Sequence, residues 1–156
     1  MSLGRIVETD IKTATDLEDH LLRDLRLASP QGINKPIRLA THDAAGNLIA
    51  GLTGSTSYGW LLIKVLWVAP DYRRCGLGRA LVTRACQTAT DFGCHCAWLE
   101  TSNPAALAFY RSLGFGIFAK LENTDSQEPA FHLRWFLKMP LMGPDANAIW
   151  HPNVIS

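Results

Sequence analysis

The sequence predicts an α/β fold built on a mixed sheet, and three observations carry that prediction. First, the apolar run Leu61-Leu62-Ile63-Lys64-Val65-Leu66-Trp67-Val68 stops at Ala69-Pro70-Asp71. A basic turn follows, Arg73-Arg74-Cys75-Gly76-Leu77-Gly78, and then apolar residues at helical spacing: Leu77, Ala80, Leu81, Ala85 and Ala89. This is a strand, a glycine loop and a helix. Second, two alternating segments joined by turn residues precede that strand, which implies antiparallel hairpin steps. Third, another strand follows the helix, and a strand reached through a helix runs parallel to its predecessor.

Length and composition bound the rest. A chain of 156 residues with 47% hydrophobic and 19% charged residues suits one globular domain; the expectation is a domain over 1–140 and a tail over 141–156, punctuated by Gly143, Pro144 and Pro152, that is irregular or an interface arm. A net charge of +1 gives no long-range field for nucleic acid or an anionic membrane, so an anion site must be local. The start of the chain carries Glu8, Asp10 and Asp16 and lacks the apolar core of a signal peptide, which points to the cytoplasm. The longest apolar run is broken by Lys64 and is too short to span a bilayer. Cys75, Cys86, Cys94 and Cys96 are then reduced thiols. Cys94-His95-Cys96 lacks the second ligand pair of a zinc site, and in a strand His95 would point away from the two thiols, so no metal is expected.

In chain order, Arg5–Thr9 reads as a short first strand. Thr15-Asp16-Leu17-Glu18 has the form of a capping box, with Thr15 as N-cap and Leu17, Leu21, Leu22 and Leu25 as the stripe of the helix behind it. Pro30 and Gly32 end this region, and Ser29–Lys35 reads as a loop. Ile37–Thr41 and Leu48–Gly54 alternate around the turn residues Asp43–Asn47, giving a hairpin. Tyr58-Gly59 turns the chain into the central strand. Gly93 stops the next helix, and Cys94–Thr101 is the following strand. Ser102-Asn103-Pro104 opens a second helix, marked by Leu107, Phe109, Tyr110 and Leu113 and ended by Gly114. Gly116–Leu121 and Ala130–Met139 close the sheet around a loop, Glu122–Pro129.

The glycine loop carries the chemistry. Glycine backbone, unpaired first-turn N–H groups and the positive end of a helix dipole converge on one spot, which binds phosphate. A Walker loop would need Lys-Ser/Thr after Gly78, where Arg79-Ala80 stands, and a dinucleotide fingerprint would need glycine at Leu81. What remains is Arg-x-x-Gly-x-Gly after Leu66-x-Val68-x-Pro70. This resembles the acyl-CoA pyrophosphate loop of the GNAT superfamily of N-acetyltransferases. A second stretch, Asn103 to Phe115, is similar to the family's Asn–Ala–Tyr helix ending in Gly-Phe, through Asn103, Ala106, Tyr110, Gly114 and Phe115.

The resemblance implies a mixed, mostly antiparallel sheet with helices on both faces, and a splayed parallel strand pair that takes acyl-CoA. It implies that Leu66, Trp67 and Val68 border the pantetheine arm, that Arg73, Arg74, Cys75, Gly76, Leu77, Gly78 and Arg79 surround the pyrophosphate, and that Asn103 and Tyr110 meet the pantetheine and the sulfur. Asn103 alternatively serves only as a helix cap, Tyr110 only as a core aromatic, and Arg74 is only solvated. Many members place a Glu on the central strand, where this chain has no carboxylate and carries Lys64. Glu100, near the end of the next strand, is therefore the candidate base, with a surface carboxylate as its rival reading. The expected function is direct transfer of the acetyl group of acetyl-CoA to a small-molecule primary amine. The alternatives are a protein lysine or N-terminal acetyltransferase and a non-catalytic acyl-CoA-binding regulator. A homodimer is the expected assembly. Trp60, Trp67 and Trp98 either line an apolar acceptor pocket or belong to the core.

Overall fold

The computed structural model describes residues 4–28, 34–122 and 133–141, and the chain divides into two units, Met1–Ile33 and Asn34–Ser156. The first unit holds the helix α1, Ile11–Ala28. Its N-cap is Asp10, not Thr15: the Asp10 carboxylate accepts the Thr13 N–H at 2.8 Å, and that bond holds the carboxyl below its usual range. Thr15 lies one turn inside the helix, where its hydroxyl donates to the Ile11 carbonyl at 2.9 Å. The strand expected at Arg5–Thr9 is not formed, because this segment meets no partner strand before Asp10 turns the chain into the helix.

The second unit is a six-stranded sheet. Its elements are β1 Lys35–His42, β2 Leu48–Ser57, β3 Trp60–Val68, α2 Leu77–Asp91, β4 Cys96–Thr101, α3 Pro104–Ser112, β5 Gly116–Leu121 and β6 Arg134–Pro140. The strand order is β1-β2-β3-β4-β6-β5. The two hairpin steps are antiparallel, and β3 and β4 are parallel, as the helical connection requires. Tyr58 and Gly59 both have positive φ, the primed two-residue turn that suits twisted strands. β4 starts at Cys96, not Cys94, because the N–H groups of Cys94 and His95 go to the carbonyls of Ala89 and Gly59. Lys35, expected in a loop, already pairs with Thr56. Residues 29–33, the loop Glu122–Pro129 beyond Glu122, the start of the last expected strand and the tail beyond Leu141 lie outside the described residues. Among the described residues no helix is long and apolar enough to cross a membrane.

Both helices of this unit lie on one face of the sheet. α2 packs on β1, β2 and β3, and α3 packs against β4. The buried stripe of α2 is Leu81, Val82, Ala85 and Ala89; Ala80, expected in that stripe, is exposed and Val82 takes its place. They meet Leu52, Leu61, Ile63, Ala97, Leu99 and Leu137 in one core, and each large apolar side chain buried there contributes about 1.5–3 kcal/mol.

Two irregularities open this sheet. Thr53 pairs with Val65 and Gly54 with Ile63, so Lys64 is an extra, bulged residue on β3. A Cβ on Gly54 would lie 2.5 Å from the Leu62 carbonyl oxygen, and only glycine lets the two strands close at the bulge. Next to it, the pairing of β3 with β4 covers only Trp60↔Cys96, Leu61↔Ala97 and Leu62↔Trp98. β3 continues to Val68 and β4 to Thr101, so the strands part from the bulge onward.

Candidate active site

A groove of about 510 Å³ runs along the parted end of β3, between the starts of α2 and α3. Every expected cofactor residue except Cys75 lines it: Leu66, Trp67, Val68, Arg73, Arg74, Gly76, Leu77, Gly78, Arg79, Asn103 and Tyr110. The Cys75 thiol instead donates to the Arg73 carbonyl at 3.4 Å.

The strand side of the groove is backbone. The Ala69 N–H bonds to the Ile49 carbonyl of β2 at 2.8 Å. Because successive strand residues point their polar groups to opposite sides, Leu66 and Val68 direct theirs away from β2, into the gap left by β4. Arg73 reaches back into this gap, where its Nε donates to the Val68 carbonyl at 3.0 Å. That bond ties the loop to the strand, and among the described residues the rest of the guanidinium has no partner.

The loop side is helix N-terminus. Gly76 is the N-cap of α2 with φ 86° and no side-chain hydrogen bond. The first helical bond, Ala80 N–H to Gly76 carbonyl at 2.9 Å, comes after the N–H groups of Leu77, Gly78 and Arg79, which leaves them directed outward with the positive end of the dipole. Arg74 is held at φ 61°, a sparsely populated conformation for a residue with a side chain. A Cβ on Gly78 would lie 3.2 Å from the Phe109 ring, so this glycine sets how closely α2 approaches α3.

On α3, the Asn103 side-chain oxygen accepts the Ala105 N–H at 2.9 Å and caps the helix. Its amide NH₂ is not used by the cap. Tyr110 is 7% exposed, packed edge-on against Phe109 and Phe115. Burial pushes its phenol up to about 12, so the proton stays on the oxygen at neutral pH.

Glu100 does not line the groove. Like Trp98, it alternates with the buried Ala97 and Leu99 and so points to the face of the sheet away from α2 and α3. There it pairs with Arg134 of β6 at 3.3 Å, with side chains 46% and 52% exposed. Continuing the register from Leu62↔Trp98 by two residues sets Lys64 opposite Glu100 across the opening. The two do not form an ion pair, because the strands have already diverged. Trp67 points to this same outer face and is 43% exposed, whereas Trp60 and Trp98 are half-buried.

Residues 8–115 match the acetyltransferase (GNAT) family. The chain belongs to this family. A blasticidin-S acetyltransferase from Streptomyces morookaense is 32% identical over 115 residues, 71% of this chain and 84% of that protein. A [ribosomal protein bS18]-alanine N-acetyltransferase from Escherichia coli strain K12 is 44% identical over 69 residues, 40% of this chain and 47% of its own length. Among solved structures, a protein from Agrobacterium tumefaciens assigned as an acetyltransferase superposes with a TM-score of 0.75 at 23% identity, covering 90% of this chain and 99% of that one. A protein from Bacillus anthracis assigned as a streptothricin acetyltransferase, solved in complex with acetyl coenzyme A, has a TM-score of 0.60 at 22% identity, covering 74% and 69%. This GNAT chain is therefore an acyl-CoA-dependent N-acetyltransferase, in a family whose named members act on different amine acceptors.

The acetyltransferase groove also contains Tyr72, Ala106, Phe109 and Ser112, which the sequence reading did not assign to it. Spacing is the signal for two of them: Ala106 follows Asn103 by three residues and Phe109 follows Ala106 by three, so each is a surface neighbour of the one before it.

Proposed function

We propose that this enzyme transfers the acetyl group of acetyl-CoA directly to the primary amine of a small molecule. The observation that carries the reading is the groove itself, in which an unpaired strand edge and an open helix N-terminus meet. The groove fits the cosubstrate's parts: amide groups of a pantetheine arm would complete the edge at Leu66 and Val68, as an added strand does, and the pyrophosphate would meet the N–H groups of Leu77–Arg79 with Arg74 and the free end of Arg73. The Asn103 NH₂, left over by the cap, would hold the arm from the α3 side. When bound, acetyl-CoA supplies the acyl group as a thioester. Held along β3, that group would emerge at the opening beside Lys64 and Glu100, where an amine can approach from the outer face.

Nitrogen attacks the carbonyl carbon, the carbon–sulfur bond breaks, and the sulfur leaves as a thiolate. Tyr110, still protonated, would donate a hydrogen bond to that sulfur. A phenol near 12 is a weaker acid than a thiol near 8.5. Its role is thus to stabilise charge, and the thiolate gains its proton finally from solvent or from the proton the amine sheds. Glu100 would take that amine proton, directly or through water.

Thiol release from acetyl-CoA across a panel of primary amines tests the function; release with no amine in the panel would overturn it. Acetyl-CoA is also expected to raise the melting temperature, by about 2.7 kcal/mol of stabilisation at a concentration of about 100 times Kd. No shift at millimolar ligand would remove the cosubstrate from the reading. Glu100→Gln is expected to slow transfer by about tenfold, less than the usual 10²–10⁴ for general acid–base catalysis, because a half-exposed carboxylate competes with water. The loss is expected to be greatest at low pH, where the amine is protonated. An unchanged pH–rate profile would exclude Glu100 as the base.

A further inference from the structure

A second depression, of about 340 Å³, lies on the outer face of the sheet, and the groove and depression share Trp67. Its floor follows from the register. Ala40, Gly51 and Trp67 stand side by side across β1, β2 and β3, and the next row on the same face is Arg38, Thr53 and Val65. Gly51 has no side chain to fill the space beside the Trp67 indole, which leaves a flat apolar bed. Apart from Arg38 and Thr53 its lining is apolar.

Among the described residues of β1, β2 and β3, the charges on this face have one sign. Arg38 is exposed on its rim and forms no salt bridge among the described residues. Lys64, the bulged residue, precedes Val65 opposite Thr53. Counted from Leu62, with Ile63 turned into the core, Lys64 shares the outer face. It too forms no salt bridge among the described residues. β1 and β3 lie two strands apart, about 10 Å, a span that a long Arg and a long Lys side chain close around one anionic group. Glu100, the carboxylate that β4 presents on this face, is already engaged by Arg134.

We infer that this depression is the acceptor subsite, and that it selects an amine carrying a flat apolar body and a carboxylate, with the body on Trp67 over Gly51 and the carboxylate between Arg38 and Lys64. The inference rests on the acetyl-transfer reading and narrows its substrate class. Arg38 supplies a planar fork matched to a carboxylate. Lys64 occupies the place where a base would otherwise stand, so that charge selection and proton removal fall to opposite lips of the opening.

The test compares acceptors that differ only in the carboxylate, L-phenylalanine against phenethylamine and L-tryptophan against tryptamine, by kcat/KM and by calorimetric binding in the presence of coenzyme A. The carboxylate member is expected to be preferred by about tenfold or more, the size of one charge-assisted hydrogen bond, with the difference in KM. Arg38→Gln and Lys64→Gln are each expected to bring the ratio toward one, and Arg38→Lys to restore part of it. Equal kcat/KM and equal binding within each pair, or a preference that both substitutions leave intact, would overturn the subsite. Binding of the carboxylate member without thiol release would instead support the subsite and count against the transfer reading. An unchanged melting shift with acetyl-CoA in each variant separates loss of the subsite from loss of the fold.

Discussion

Tyr110→Phe is expected to lower kcat by about 10²-fold while sparing the acetyl-CoA melting shift. The ring that packs against Phe109 and Phe115 is retained, so the core and the groove wall are unchanged. Only the hydroxyl is lost. General acid catalysis contributes about 10²–10⁴-fold, and the low end applies because a phenol raised to about 12 stabilises a thiolate without surrendering its proton. Measured kcat with any working amine and Kd for acetyl-CoA decide the matter. An undiminished kcat would leave Tyr110 as a packing aromatic, and loss of both affinity and melting temperature would give the residue a structural role alone. The same substitution has a signature in alkali. A phenol whose folded value exceeds its unfolded value of 10.0 contributes stability fully present below pH 10 and lost as the pH rises toward about 12. The wild-type melting temperature is therefore expected to fall more steeply than that of the Phe variant between pH 10 and 12, and parallel curves would argue against a buried phenol.

Gly54→Ala is expected to be among the most damaging single-methyl additions in the sheet. The added carbon would stand 2.5 Å from the Leu62 carbonyl oxygen, a backbone atom that no rotamer change can move. Overpacking costs about 1–3 kcal/mol where side chains absorb it, and the top of that range or beyond applies here. For a chain of this size that corresponds to a melting temperature lower by about 6–12 °C. Because the clash falls at the bulge where β3 leaves β4, acetyl-CoA affinity is expected to fall with it. Gly116→Ala is the control, since its Cβ would meet nothing within 4 Å. Equal melting curves for the two variants would mean that the bulge tolerates a side chain.

The strand, the loop and the second helix are legible in the sequence because their signals are local. The Pro70 stop, the paired glycines and the i, i+3 and i+4 repeats each concern residues a turn or two apart. The cap of α1 is not legible in this way, because Asp10 and Thr15 both satisfy capping chemistry, and only the position of the first turn chooses between them. Ala80 stands in the expected stripe and Val82 in the observed one because a helical repeat fixes a stripe only approximately, and the sheet beneath decides the rest. The bulge at Lys64 and the need for glycine at 54 arise from register between β2 and β3, which no single segment encodes. The Arg73 bond to Val68 and the contact of Gly78 with Phe109 join a loop to a strand and one helix to another. Such pairings depend on the assembled fold, so a motif can nominate Gly78 for phosphate without revealing that it also spaces two helices.

The three-pair junction of β3 and β4 makes the sheet two leaves, β1-β2-β3 and β4-β6-β5, joined by a short seam. On the proposed reading, the pantetheine arm of acetyl-CoA would lie in the gap beyond that seam like a spline and would make the two leaves continuous for as long as it stayed. Letting coenzyme A go would then mean breaking hydrogen bonds of the kind that hold a sheet together. Tight binding in the gap would thus favour capture and slow release together, and the length of the β3–β4 ladder would set the balance between affinity and turnover.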